Sequence, residues 1–165
     1  MNAGSVSLNM GKLQALSADL KKYKNYRIHI GVFGGKDLRG NLGHGPSDAA
    51  LGNAEIGTIQ EFGSIKKNIP ERSFLRIPLM NYLPDAIKAV GPDAWKRSLM
   101  QEGMLKTLGR LAITGRNIVQ DSFATRGFGM WAPNAKRTIA RKGSDAPLID
   151  GGELRQSVTH RIVKP

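Results

Sequence analysis

Residues 54–76 read AEIGTIQEFGSIKKNIPERSFLR, and the predicted fold is built outward from this stretch. Its first part carries apolar side chains at helical spacing, which are Ala54, Ile56, Ile59 and Phe62. Gly63 follows directly, and glycine tolerates the left-handed backbone with which many helices end. A basic, polar segment occupies 64–68, and the residue before Pro70 is restricted to extended backbone. The stretch therefore predicts a short helix, an exposed basic loop and a second apolar element after the proline.

The composition limits the class of protein. The chain has 165 residues and no cysteine, which excludes disulfides and thiolate chemistry and fits synthesis in a reducing cytoplasm. This length is typical of one domain with a genuine core, so we expect a single domain over 1–165. No window long enough to cross a bilayer is free of charge, so we expect no membrane-spanning helix and no membrane partner.

The net charge is +12, from 25 lysines and arginines against 13 aspartates and glutamates. Such an excess of cations points to nucleic acid, to acidic protein surfaces, or simply to a solvated basic surface. The cations are spread along the chain and no groove-reading motif accompanies them. The pattern therefore favours general surface charge or acidic protein partners over dedicated DNA recognition.

Four further stretches complete the predicted fold. Residues 10–24 have the spacing of an amphipathic helix, which we expect to dock on the protein's own sheet. Alternation near 26–33 and 157–164 predicts two strands of one antiparallel sheet, and we expect further strands that the pattern does not locate. The apolar stripe in 95–123 predicts a long core helix that crosses the sheet. The fold class is thus α+β, with a small antiparallel sheet packed against a long helix and shorter helices, and with long projecting loops.

Proline and glycine mark where these elements are expected to be interrupted. A helix is predicted in 73–90, with a break or kink at Pro84. In the long helix, glycines at 103, 109 and 115 either admit another part of the chain closely or weaken the helix. The glycine-rich segments 34–50 and 125–147 are predicted to be mobile loops.

The loop 125–147 combines cations with one tryptophan, Trp131. One interpretation is a grip on single-stranded nucleic acid by base stacking. The other is an arm that lies on a neighbouring subunit with Trp131 as its buried anchor. The second is favoured because a single tryptophan is a poor stacking platform. The five cations are Arg126, Lys136, Arg137, Arg141 and Lys142.

Two motifs carry a resemblance to a known group of proteins. The order E-F-G at 61–63 followed by I-P-x-R-S-F-L-R at 69–76 resembles the tail-completion and virion-morphogenesis families, minor structural proteins of tailed bacteriophages. The segment 131–158 is similar to the C-terminal signature of those families. The matching residues there are Trp131, Pro133, Thr138, Lys142 and the run PLIDGGELRQSV. The threonine that usually precedes Gly-Glu-Leu in these families is Gly151 in this chain.

The resemblance implies a structural virion protein of a tailed phage, made in the host cytoplasm and located in the neck or tail. It implies action in tail completion or head–tail joining as a homo-oligomeric ring, which we expect to be six-fold, around the DNA channel. The implied partners are the head–tail connector and the tail tube or tail terminator, with non-specific contact to packaged DNA. The implied interface residues are Glu61, Phe62, Gly63, Ile69, Pro70, Arg72, Phe74, Leu75, Trp131, Pro133, Leu148, Leu154 and Arg155.

The sequence gives little support for an enzyme, and we expect no catalytic residue, metal or cofactor. No G-x-S-x-G occurs, and the three histidines stand far apart in the sequence. Glu55, Glu61 and Glu71 are the acids near the central motif, and a salt bridge to Arg72 or a subunit contact is the expected use of Glu61. The functions left open as alternatives are a basic nucleic-acid-binding module and a small hydrolase that uses an acid such as Glu61.

Overall fold

The computed structural model describes residues 10–34 and 51–164, so the predicted loop 34–50 lies outside the described residues except for Gly34. Seven helices and two strands are found in the described part. They are α1 (Met10–Tyr23), β1 (Arg27–Val32), α2 (Asn53–Phe62), α3 (Arg76–Val90), α4 (Pro92–Glu102), α5 (Met104–Ala124), α6 (Lys136–Lys142), α7 (Glu153–Ser157) and β2 (Val158–Val163). The α+β class expected from the sequence is confirmed.

The sheet consists of β1 and β2, which run antiparallel. Arg27 lies opposite Val163 at one end, and Val32 lies opposite Val158 at the other. No third strand joins this sheet within 10–34 and 51–164, so the further strands expected from the sequence are not found among these residues. A sheet of only two strands is marginally stable in water by itself. Here both strands pack on α5, which stabilises them. The predicted pairing of the two distant strands is confirmed.

The core joins the central motif to the sheet. Its fully buried side chains are Phe74, Val119, Phe123, Leu154 and Val158. The rings of Phe74 and Phe123 meet with centroids 5.1 Å apart. Burying a side chain of this size stabilises the fold by roughly 1.5–3 kcal/mol. The motif that follows α2 is therefore anchored in the molecule's interior.

Three predictions about the helices are corrected by the structure. The predicted long helix is two helices, α4 and α5, which meet at Gly103 with a φ of 84°. By contrast, α3 continues through Pro84, where an interruption was expected. A proline removes one helical hydrogen bond, and packing of α3 on α5 compensates for that loss. The main contacts of α1 are with α4 and α5 instead of the sheet.

The buried face of α2 also differs from the predicted one. The apolar residues at helical spacing are only half-buried, and Phe62 is 63% exposed. The buried stripe consists of Asn53, Gly57 and Glu61. A Cβ at Gly57 would lie 3.3 Å from Cζ of Phe74, so the helix approaches the core through its glycine. Close backbone approach therefore decides which face of α2 is inside.

The two interior glycines of α5 give a prediction with its own control. A Cβ at Gly115 would overlap Cδ1 of Ile30 and lie 3.4 Å from Leu79, whereas Gly109 has nothing within 4 Å. We expect Gly115→Ala to lower the free energy of unfolding by about 1–2 kcal/mol through overpacking. Gly109→Ala should raise it by about 0.5–1 kcal/mol through helix propensity. Urea denaturation of both variants checks this, and equal stabilisation by both would contradict it.

Candidate functional site

The carboxylate of Glu61 holds the beginning of α3. This side chain is 4% exposed. Its Oε1 accepts hydrogen bonds from Ser73 Oγ at 2.6 Å and from the Arg76 N–H at 3.0 Å. Its Oε2 accepts from the N–H groups of Phe74 and Leu75, at 2.8 and 3.0 Å. A helix N-terminus has unpaired N–H groups and positive potential, so the last turn of α2 supplies the anion that α3 needs.

The predicted salt bridge between Glu61 and Arg72 is wrong. Arg72 turns away, and its Nε and Nη2 each donate a 3.0 Å hydrogen bond, to the carbonyl oxygens of Ala132 and Pro133. The ion pair of Glu61 is with Arg76, whose Nε lies 3.9 Å from Oε1. Backbone N–H groups already fixed at the helix start satisfy the carboxylate without the ordering of a long side chain. Burial lowers the pKa of the Arg72 guanidinium, because loss of water disfavours its charged form.

Trp131, in the second motif, binds the residues that immediately precede α3. Trp131 Nε1 donates to the Ser73 carbonyl at 3.0 Å, and its indole meets the ring of Phe123 edge-on at 5.9 Å. The two donor atoms of Arg72, Nε and Nη2, which we call its fork, bind carbonyls 60 and 61 positions later in the chain. Two motifs that are far apart in sequence therefore form one hydrogen-bonded unit. The indole that the sequence placed on a neighbouring subunit lies here on the protein's own core.

Between Gly63 and Glu71 the chain forms a small hairpin, which we call the basic hairpin. The N–H of Ser64 donates to the carbonyl of Ile69 at 2.8 Å, and the N–H of Ile69 donates back at 2.9 Å. The turn at 65–68 carries Asn68 in left-handed backbone, with a φ of 51°. Ile65 is fully exposed at the tip, beside two exposed lysines. The tip of the basic hairpin therefore presents an apolar side chain next to two positive charges.

The predicted site residues fall into internal and exposed groups. Phe74 and Leu154 belong to the core, and Leu75, Leu148 and Trp131 pack against it. These residues stabilise the site through their packing in the core. Any direct contact with a partner therefore falls to the exposed members.

The exposed members surround the base of the basic hairpin. Phe62 lies under the guanidinium of Arg76, 5.5 Å from ring centroid to Cζ. Pro70 and Pro133 are exposed, and Ile69 is half-buried. Arg155 stands apart from them. It donates from Nε to Gln120 Oε1 at 3.0 Å, and Gln120 Nε2 donates back to its carbonyl at 2.8 Å.

A groove of about 1130 Å³, which we call the motif groove, runs between the basic hairpin and α6. Both motifs line it, and part of its wall is aliphatic. These aliphatic side chains are Ile56, Ile69, Leu148 and Leu154. The cations in its lining are Arg72, Arg141 and Lys142, and the acids are Glu71 and Asp150. The segment 125–147, predicted to be a mobile loop, thus contains the short helix α6 and forms one wall of the groove.

Lys142 contributes an ammonium group to this lining and is half-buried. Its Nζ donates to the Ala146 carbonyl at 2.8 Å. Loss of water lowers the pKa of Lys142, and the nearby positive charges of Arg72 and Arg141 lower it further, while Asp150 opposes them. The lining as a whole holds three cations and two acids, so positive charge is in excess there.

Two residues of the site were missed at the sequence level. Ser73 accepts the N–H of Ile77 at 3.0 Å while it donates to Glu61. Serine just before an apolar helical run is a standard helix-capping signal and identifies this role. Ile65 is the other, and the signal was its position as an apolar residue inside a basic turn.

The described residues contain no group of three or more histidines, aspartates and glutamates that could hold a metal ion. None of their helices is long and apolar enough to span a membrane. No protein-family model matches the chain, and no curated protein or solved structure is significantly similar to it. The two sequence motifs and their geometry are thus the basis for a functional proposal.

The fork of Arg72 gives a prediction about how firmly the two motifs are joined. Lysine cannot reproduce the two N–H donors that the guanidinium places side by side, so Arg72→Lys should leave one part-buried carbonyl without its partner. We expect the free energy of unfolding to fall by about 1–3 kcal/mol in urea denaturation. Arg97→Lys, at an exposed position on α4, is the control and should change it by less than about 0.5 kcal/mol. Equal effects of the two variants would show that the fork contributes nothing.

Proposed function

We propose that this protein is a structural component of a tailed-phage virion, located in the neck or tail, where it acts in tail completion or head–tail joining. The resemblance of both motifs to the tail-completion families supports this. The observation that carries most weight is the binding of one motif to the other through Arg72 and Trp131. The two sequence motifs are thus joined in space by hydrogen bonds, and this joint supports the exposed residues around it.

The proposed mode of action is assembly as a six-fold ring that contacts the head–tail connector and the tail tube or its terminator. Exposed apolar groups beside the rigid unit, Ile65 and Phe62, are suited to such contacts. A contact between two proteins that depends on one or two exposed side chains is weak. Such contacts become sufficient when several subunits dock on one symmetric platform, because later contacts are then effectively intramolecular.

A second candidate function, a basic nucleic-acid-binding module, is favoured by the exposed cations of α6. Lys136, Arg137 and Arg141 are all solvent-exposed on this helix. Binding that neutralises several phosphates falls steeply with salt, with a log–log slope of about −0.9 per phosphate on duplex DNA. A steep slope for the isolated protein, together with no self-association and no particle phenotype, would favour this candidate.

The proposed function is tested by particle assembly in infected cells that lack the gene. We expect heads and tails that do not join, and we expect wild-type protein supplied in trans to restore joined particles. Ile65→Asp, at a fully exposed position, should fold normally and fail to restore them. Gly109→Ala, which adds only one methyl group to α5, should restore them. Normal infectious particles without the gene would overturn the proposal.

A further inference from the structure

The motif groove has the form of a site for an extended chain segment. It runs between the basic hairpin and α6, and three side chains of its aliphatic wall, Ile56, Leu148 and Leu154, belong to the core or pack against it. The two segments that form the groove are held together, because Arg72 binds the carbonyl of Ala132 and Trp131 binds the carbonyl of Ser73. A pre-organised groove of this kind requires little ordering of the protein when it is occupied, which favours binding.

The charges around the groove determine what chemistry fits it. Arg141 and Lys142 line the α6 side. On the side of the basic hairpin, Lys66 and Lys67 are exposed on the turn between Ile65 and Asn68, two residues that line the groove. Of the acids in the lining, Glu71 is already bound by Arg76 at 2.7 Å. Asp150 is then the acid left to balance these cations. The two rims therefore attract negative charge, while the wall between them attracts aliphatic side chains.

One polar group at the groove has no partner among the described residues. Gln60 lines the groove, and its Oε1 is shielded from solvent without a hydrogen bond. Buried polar atoms are nearly always paired, so an unpaired one calls for an explanation. A rotation of this amide would offer both a donor and an acceptor to the backbone of a bound segment.

We infer that the motif groove binds an extended segment of another virion protein in which acidic and aliphatic side chains occur together. This inference rests on the proposed function for the origin of the partner, and on the groove's charges and shape for its chemistry. A protein segment is favoured over a nucleic acid because the wall is aliphatic. Phe62, at the rim, is the aromatic side chain in the lining, whereas strand binding by stacking uses several aromatic faces.

The inference is tested by selecting short random peptides, displayed on particles, on the immobilised full-length protein. We expect the selected peptides to be enriched in aspartate and glutamate together with leucine, isoleucine and valine. Their affinity, measured by fluorescence anisotropy, should fall at least about tenfold for the double variant Lys67→Glu/Arg141→Glu. The control Lys96→Glu/Arg97→Glu makes the same charge change on exposed positions of α4 and should keep wild-type affinity.

The possible outcomes distinguish failure of this inference from failure of the proposed function. Selection without enrichment of acidic residues, equal loss with both double variants, or no selected peptide would overturn the inference. Binding of a single-stranded oligonucleotide that the groove variant alone abolishes, without peptide binding, would assign the groove to nucleic acid. In cells that lack the gene, full rescue by the groove variant would overturn the groove's role while leaving the proposed function intact. Normal particles without any protein would instead remove the proposed function.

Discussion

Glu61→Gln is expected to lower the free energy of unfolding by about 2–4 kcal/mol, a large part of the stability of an ordinary domain. The four groups that point at this carboxylate are all donors: one hydroxyl and three backbone N–H groups. Glutamine keeps one oxygen for them and presents an NH₂ group, itself a donor, in place of the other. The substitution also removes the negative charge from the N-terminus of α3. Urea denaturation of the purified protein measures the change.

A matched control exists in the same helix. Glu55 is exposed and accepts a hydrogen bond from the Gly52 N–H at 2.9 Å at the beginning of α2. Glu55→Gln makes the same chemical change at an N-terminus that water can solvate, so we expect a loss of at most about 1 kcal/mol. If the two variants were equally destabilised, burial and the multiple donors at Glu61 would not be the source of its effect.

The parts of the fold that are readable from sequence are those that local pattern determines. Alternation identified β1 and β2, and Gly63 marked the end of α2 at the residue where the helix stops. These features follow from side-chain period and from the conformational freedom of glycine, and both act within a few residues. The same reasoning failed at Pro84, where contacts of α3 with α5 override a local preference.

The site was only partly predictable, because its partners are backbone groups. The motif stretches could be identified, but Arg72 binds two carbonyls, and a carbonyl oxygen looks the same at every position of a sequence. A charge-pairing argument therefore assigned Arg72 to Glu61, an acid of the same motif, whose carboxylate instead binds the beginning of α3. The buried face of α2 was missed for a related reason. An apolar period cannot show that Gly57 admits Phe74 more closely than any side chain would.

Gly63→Ala is expected to lower the free energy of unfolding by about 3 kcal/mol or more. Gly63 has a φ of 69° and a ψ of −177°, a region that residues other than glycine adopt only with strain. A Cβ there would lie 2.7 Å from the Glu71 nitrogen and 2.8 Å from the Ile69 oxygen. Both are backbone atoms, and the Ile69 carbonyl is already bonded to Ser64, so relief requires the basic hairpin to open. Strain and overpacking therefore add at this position.

Gly129→Ala separates the two contributions. Gly129 has a φ of 81° but nothing within 4 Å of a Cβ, so its substitution introduces only the conformational strain, about 1–2 kcal/mol. The excess cost of Gly63→Ala in urea denaturation then measures the contact between the end of α2 and the basic hairpin. An excess of zero would mean that the hairpin moves away freely. In that case the hairpin would not hold a fixed rim for the motif groove, and Ile65 would not be presented in one position.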